Sequence, residues 1–294
     1  MFSKFSIVLL AALPLIAQQP AGAGVNFYSV EKEAALGKQL AADVLRQATV
    51  LETPPAQDYL NRLGQRLAAQ WPDSKWPFSF SLIANEGGGA AQEPLALPAG
   101  YIFVPAGLVL AARDEAEFAG MMAHAMAHVA ARDWTRQASR GELFNMSMTA
   151  AEQAAAPGRA RDAIGQSFGP RIDGLGSLGY AIGPSRLAVP PAFLSIARNS
   201  HLAADAMAAQ AMARAGFNPE ALVRYLERDR PGATAATFSE WPDQGTRLAA
   251  LRKLIAAMPA AGYAAPAPEF AAFQQEVRRL VAHTPPSLKR DNEK

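Results

Sequence analysis

The stretch 119-AGMMAHAMAHVAARDW-134 places His124 and His128 four residues apart in a run of alanine, methionine and valine. Its apolar residues recur at helical spacing, with Phe118, Met122, Ala125 and Val129 along one face. On a helix, side chains four apart point the same way, with Cβ atoms about 6 Å apart, so both imidazoles can reach one ion. Two hydrogen-bonded core histidines would leave the same trace in the sequence.

Working outward, AGLVLAARDEAEF reads as a helix broken near Asp114, a residue that can cap the next one. Before it, LALPAGYIFVP suits a pleated surface through Tyr101, Ile102, Phe103 and Val104, and FSFSLIAN alternates like a strand, so the two segments are expected to pair in a small sheet. Nearer the N-terminus, SVEKEAALGKQLAADVLRQA predicts a helix capped by Ser29, and PAQDYLNRLGQRLAAQW predicts a second. Residues 136–192 are rich in Gly, Ala and Ser, and Pro190 and Pro191 break any long helix there. Order resumes with FLSIARNSHLAADAMAAQAMARAGF, a helix ended by Gly216, then NPEALVRYLERD, then an amphipathic pair over 243–258 and 267–282. The pattern predicts an α+β, mainly α-helical fold with a small β-sheet beside the HxxxH helix.

Composition limits the function classes. The chain has 294 residues, half of them hydrophobic, and 28 basic residues against 26 acidic, so no charge excess points to nucleic acid. Its first residues, MFSKFSIVLLAALPLIAQQPAGAG, carry a lysine and an apolar run too short for the roughly 20 residues that span a bilayer. They read as a signal peptide over residues 1–23, with an uncleaved anchor as the alternative, followed by one domain over 26–283 and a solvated tail over 284–294. Export to the periplasm or cell envelope is therefore expected. With no cysteine, any metal must be held by His, Asp or Glu.

There are four histidines, and His283 lies near the tail. His201 sits in HLAAD, with Asp205 one turn further on. Three imidazoles from His124, His128 and His201 would supply the three protein ligands of a catalytic zinc site, and Asp205 could orient one by accepting from its far ring nitrogen. Nothing in the spacing brings His201 to the other two.

Several blocks, in order, resemble the zinc metallopeptidase family of the CAAX prenyl protease, HtpX and BepA, metallopeptidase family forty-eight, from about Asn26 to about Ala257. NFYSVEKEAALGKQLAADV is similar to its opening helix and DYLNRLGQRLAAQ to its second. LALPAGYIFVPAGLVLAARDEAEFAGMMAHAMAHVAARD resembles its strand, helix and HExxH helix, and RNSHLAADAMAAQAMARAGFNPEALVRYLERD resembles its ExxAD helix together with the segment after that helix. The resemblance implies a gluzincin-type metallopeptidase fold, one zinc ion and a polypeptide substrate. It places the two helical ligands on His124 and His128, the glutamate ligand on His201, the orienting aspartate on Asp205, and the strand beside the cleft on Glu93 to Gly100, with Leu95, Ala96, Leu97, Pro98, Ala99 and Gly100 as the peptide-binding segment.

The departures from that family fall on its chemistry. Ala125 stands where the family has the glutamate that polarises water and carries its proton to the leaving amine. His201 replaces a carboxylate, Glu93 replaces a cleft asparagine, and Trp241 replaces a histidine that can approach the metal. Glu117 lies about two turns, roughly 10 Å, before His124, too far for direct proton transfer; Glu93 is the candidate stand-in base. The expectation is an exported, metallopeptidase-like protein whose peptide hydrolysis is impaired, binding polypeptide clients or membrane-associated and outer-membrane assembly proteins. The alternatives are an active zinc metalloendopeptidase with an unrecognised base and a metal-free structural binding domain.

Overall fold

The computed structural model describes residues 25–84, 93–139, 191–228, 242–259, 261–263 and 267–284, and of 191–196 the backbone alone is described. The expected signal segment 1–23, Trp241, residues 140–190 of the Gly-, Ala- and Ser-rich stretch and the tail beyond 284 lie outside the described residues.

Helix α1 (Val30–Gln47) starts at Ser29, whose hydroxyl accepts from the Lys32 amide, and Glu31 and Glu33 occupy its positive first turn. Helix α2 (Pro54–Ala68) opens on Pro54, whose fixed φ and missing N–H suit a first turn. Among the described residues the sheet has three strands, β1 (Ser79–Ile83), β2 (Leu95–Ala96) and β3 (Tyr101–Pro105), in the order β1-β3-β2. β1 runs parallel to β3, with Ser79 opposite Tyr101, while β2 is antiparallel, with Leu95 opposite Phe103.

The single strand expected over 95–105 is therefore corrected. Residues Pro98–Gly100 form one turn of 3-10 helix, with φ of 65° at Ala99 and 92° at Gly100, and the chain doubles back to make β2 the sheet edge. Proline has no N–H for the ladder, and a Cβ at Gly100 would lie 2.0 Å from the Pro77 carbonyl oxygen. Helix α1 presses on this turn closely enough that a Cβ at Gly37 would lie 2.1 Å from the Pro98 carbonyl oxygen. Leu40 and Val44 of α1 pack there against Leu97 and Phe103.

Helix α3 (Ala106–Ala111) leads to α4 (Glu115–Ala130), capped by Asp114, which accepts from the Glu117 amide at 2.8 Å. A helical stretch over 133–139, α5, follows. Then come α6 (Pro191–Arg214), α7 (Glu220–Arg228), α8 (Gln244–Ala256) and α9 (Pro268–His283). The expected stripe Phe118, Met122, Ala125 and Val129 is buried, and burial extends round the helix, taking in every residue from Glu117 to Ala127. α6, α7, α2 and β2 all pack on it, as befits a helix apolar all round. Phe118 stacks on Phe270 of α9 at 5.7 Å, and Tyr59 of α2 on Phe273 at 4.4 Å. Gln274 of α9 donates to the Val109 and Ala112 carbonyls, both at 2.8 Å, closing the end of α3.

Candidate metal centre

The contact of α4 with α6 brings three histidines together. One ring nitrogen from each of His124, His128 and His201 lies within 4.8 Å of the other two. The His124 and His201 rings are parallel, with centroids 5.7 Å apart and planes at 1°. His128 stands edge-on to both, at 4.8 and 4.9 Å. His124 Nε2 and His128 Nε2 are 3.1 Å apart. Two nitrogens each about 2.0 to 2.1 Å from a tetrahedral ion are roughly 3.3 Å apart, so this pair is spaced to share one.

Two of the three far nitrogens face carboxylates. His124 is fully buried, and its Nδ1 lies 2.8 Å from Asp205 Oδ1. Asp205, one turn beyond His201 on α6, accepts from Arg247 Nε at 2.5 Å and from its terminal nitrogen at 2.8 Å. His128 Nδ1 pairs with Asp133 Oδ2 at 2.8 Å. The Asp133 carboxylate behind the His128 ring turns its other nitrogen toward the centre, and Asp205 sits within ion-pair distance behind His124.

Asp133 is itself positioned by the turn after α4, where Arg132 adopts φ of 55°. The Arg132 guanidinium donates to Glu33 at 2.6 Å and to the Tyr28 carbonyl at 2.8 Å, and Thr135 donates to Glu33 at 2.9 Å. Glu33 in the first turn of α1 and Tyr28 just before that helix thus brace the turn that carries Asp133.

Burial pushes the His124 pKa down to about 4 against the opposing pull of Asp205. Loss of solvation, then the charges His128 and His124 would carry, holds His201 well below its usual value. Burial works to raise Asp205, yet the charge of His124 and the Arg247 hydrogen bonds hold it down, at about 2. His124 and His201 are therefore neutral near pH 7, the protonation state that ligates metal.

Ala125 is buried directly after His124 and brings only a methyl group. Glu93, just before β2, sets its Oε2 3.7 Å from His124 Nε2. Of the expected peptide-binding segment, Leu95 and Ala96 form the edge strand and Ala99 is partly exposed, while Leu97, Pro98 and Gly100 are buried. Glu117 is engaged elsewhere, accepting from Arg228 at 2.7 and 2.5 Å and from the Arg113 amide at 2.9 Å. His283 is exposed and faces the Arg279 carbonyl, apart from the cluster. Sequence reasoning missed two residues: Asp133, five positions after His128 and past the helix end, and Arg247, 42 positions from Asp205. Neither falls at a helical spacing from the residue it holds.

Comparison with known proteins finds that the family described as Peptidase family M48 matches residues 54–255. The chain is 26% identical over 206 residues to the putative beta-barrel assembly-enhancing protease of Vibrio cholerae serotype O1, an alignment covering 68% of this chain and 38% of that protein. It is 25% identical over 224 residues to the beta-barrel assembly-enhancing protease of Yersinia pestis, covering 75% and 42%, and 25% identical over 203 residues to that of Escherichia coli strain K12, covering 68% and 38%. The alignments thus span less than half the length of these relatives.

Proposed function

We propose that this chain, which belongs to peptidase family M48, binds one zinc ion through His124, His128 and His201 and acts as a pseudopeptidase that holds extended polypeptide in the cell envelope. The observation that carries this reading is Ala125, a buried methyl next to His124 where the resemblance places the catalytic glutamate. The donor set fits zinc: three imidazoles, two with their far nitrogens against carboxylates, in a chain without thiolates.

A zinc ion so held would supply Lewis acidity and would lower the pKa of a water bound to it toward about 7. Peptide hydrolysis also needs a side chain that takes a proton and returns it to the amine, worth roughly 10²–10⁴-fold. Ala125 has no such group, Glu117 is committed to Arg228, and Asp205 to Arg247. Binding polypeptide needs none of this. β2 is an edge strand, and an extended peptide can add to it through main-chain hydrogen bonds.

The signal-like segment 1–23 supports export, and the relatives named for β-barrel assembly support clients drawn from outer-membrane assembly. Among the described residues no helix is long and apolar enough to cross a membrane.

Zinc content and peptide cleavage of the untagged chain, measured beside Ala125→Glu, test the proposal. About one zinc per chain without cleavage is expected. Robust zinc-dependent cleavage by the unaltered chain overturns the pseudopeptidase reading, and absence of metal leaves a metal-free binding domain. A second reading, an active metalloendopeptidase with Glu93 as base, is favoured by the 3.7 Å approach of Glu93 to His124; cleavage that Glu93→Gln abolishes would establish it.

A further inference from the structure

The atoms that meet at His124 Nε2 form an unusual group. His124 Nδ1 lies 2.8 Å from Asp205 Oδ1 and His128 Nδ1 lies 2.8 Å from Asp133 Oδ2, so both rings turn their Nε2 atoms toward one point. Those two nitrogens are 3.1 Å apart, and Glu93 Oε2 approaches the first of them to 3.7 Å. Two ring nitrogens and a carboxylate oxygen thus converge. A cation is a species that all three can bind.

Resting on the three-histidine reading above, we propose that Glu93 is a fourth ligand of the same ion, closing the centre as three imidazoles and one carboxylate. A carboxylate oxygen and an imidazole nitrogen on one tetrahedral zinc ion are roughly 3.3 Å apart, and Glu93 Oε2 is 3.7 Å from His124 Nε2, so that contact closes with a side-chain movement of a few tenths of an ångström. The Glu93 side chain is 31% exposed, so it keeps room to move while most of it lies against the protein. Its backbone is anchored by β2, where Leu95 and Ala96 pair with Phe103 and Ile102.

Ligation, rather than proton transfer, also accounts for Ala125. Catalytic zinc sites keep a position open for water, and structural sites fill all four with side chains. With Glu93 in the fourth position there is no water to activate, and a base at position 125 has nothing to act on. A residue from the lip of the peptide-binding edge then completes the metal site, which ties polypeptide binding at β2 to metal coordination.

The test uses the untagged chain, loaded with zinc or cobalt(II), as wild type, Glu93→Ala, Glu93→Gln and His201→Ala. Zinc affinity is measured by competition with a chromophoric chelator, cobalt(II) geometry by visible absorption, and an open position by the response of that absorption to azide; circular dichroism verifies folding. Both Glu93 variants are expected to bind zinc about tenfold or more weakly. Wild-type cobalt(II) protein should show four-coordinate absorption indifferent to azide, and Glu93→Ala an altered spectrum that responds to it. Wild-type affinity and spectrum in Glu93→Ala, with metal lost in His201→Ala, overturn the role of Glu93 and leave the three-histidine site standing. Cleavage abolished by Glu93→Gln at unchanged affinity overturns ligation in favour of a base. A wild-type chain without stoichiometric metal overturns both readings.

Discussion

Arg247 grips Asp205 with two hydrogen bonds, at 2.5 and 2.8 Å, across 42 residues of chain, and both side chains are buried. Asp205 in turn lies 2.8 Å from His124 Nδ1, so a guanidinium on α8 sets the orientation of an imidazole on α4 through a carboxylate on α6. Truncating one partner of a buried ion pair leaves the other charge stranded, at a cost of about 3–5 kcal/mol. Arg247→Ala should therefore lower the chemical-denaturation midpoint of the metal-free protein strongly, and wild-type stability in that variant would contradict the role assigned to the pair.

Asp133 performs the same service for His128 but is more exposed, with 12% of its side chain in solvent. Loss of an outer hydrogen-bond partner of a ligating histidine typically costs about 10- to 100-fold in metal affinity. Asp133→Ala should show that drop in a zinc-chelator competition while its circular dichroism stays that of the wild type.

Stability of the metal-free protein should depend on pH in a defined window. His124 titrates at about 4 in the folded chain, below its ordinary value near 6.5, and His201 is shifted the same way. Below pH 6.5 the unfolded state then binds more protons than the folded state, so stability is present above that pH and falls as pH drops toward 4. His124 alone corresponds to ~2 kcal/mol lost between pH 7.5 and 5. Equal urea midpoints at these two pH values, with metal removed, would refute the burial of neutral histidines.

Gly37 and Gly262 make a matched pair. A Cβ at Gly37 would meet the Pro98 carbonyl oxygen at 2.1 Å, whereas one at Gly262 meets nothing within 4 Å. Gly37→Ala should destabilise by about 1–3 kcal/mol as α1 is driven off the turn that shapes β2. Gly262→Ala should leave the thermal midpoint near that of the wild type. Equal midpoints for the two variants would show that α1 does not press on that turn.

Legibility in the sequence followed the range of the forces. The caps at Ser29 and Asp114 were readable because each side chain bonds an amide three residues on. The break at Pro98–Gly100 was not, because Tyr101 to Val104 and Leu95 to Leu97 share the apolar character of one continuous strand. The two-sided burial of α4 was missed for a related reason: alanine is compatible with either a core or a surface face, and only the helices packed on it decide which.

The sequence by itself determined the helices, the family to which the blocks belong, and the placing of three histidines with Ala125 directly after the first. These are local or ordered along the chain, and side-chain type and spacing encode them. Only the tertiary structure decided that His201 of α6 meets His124 and His128 of α4, that Asp133 faces His128 and Arg247 holds Asp205, and that Glu93 comes within 3.7 Å of His124 from the sheet edge. The physical reason is that close packing of α6 against α4 and the turn before β3 fix these distances. No residue spacing along the chain carries a contact that two elements make only when their apolar faces are buried together.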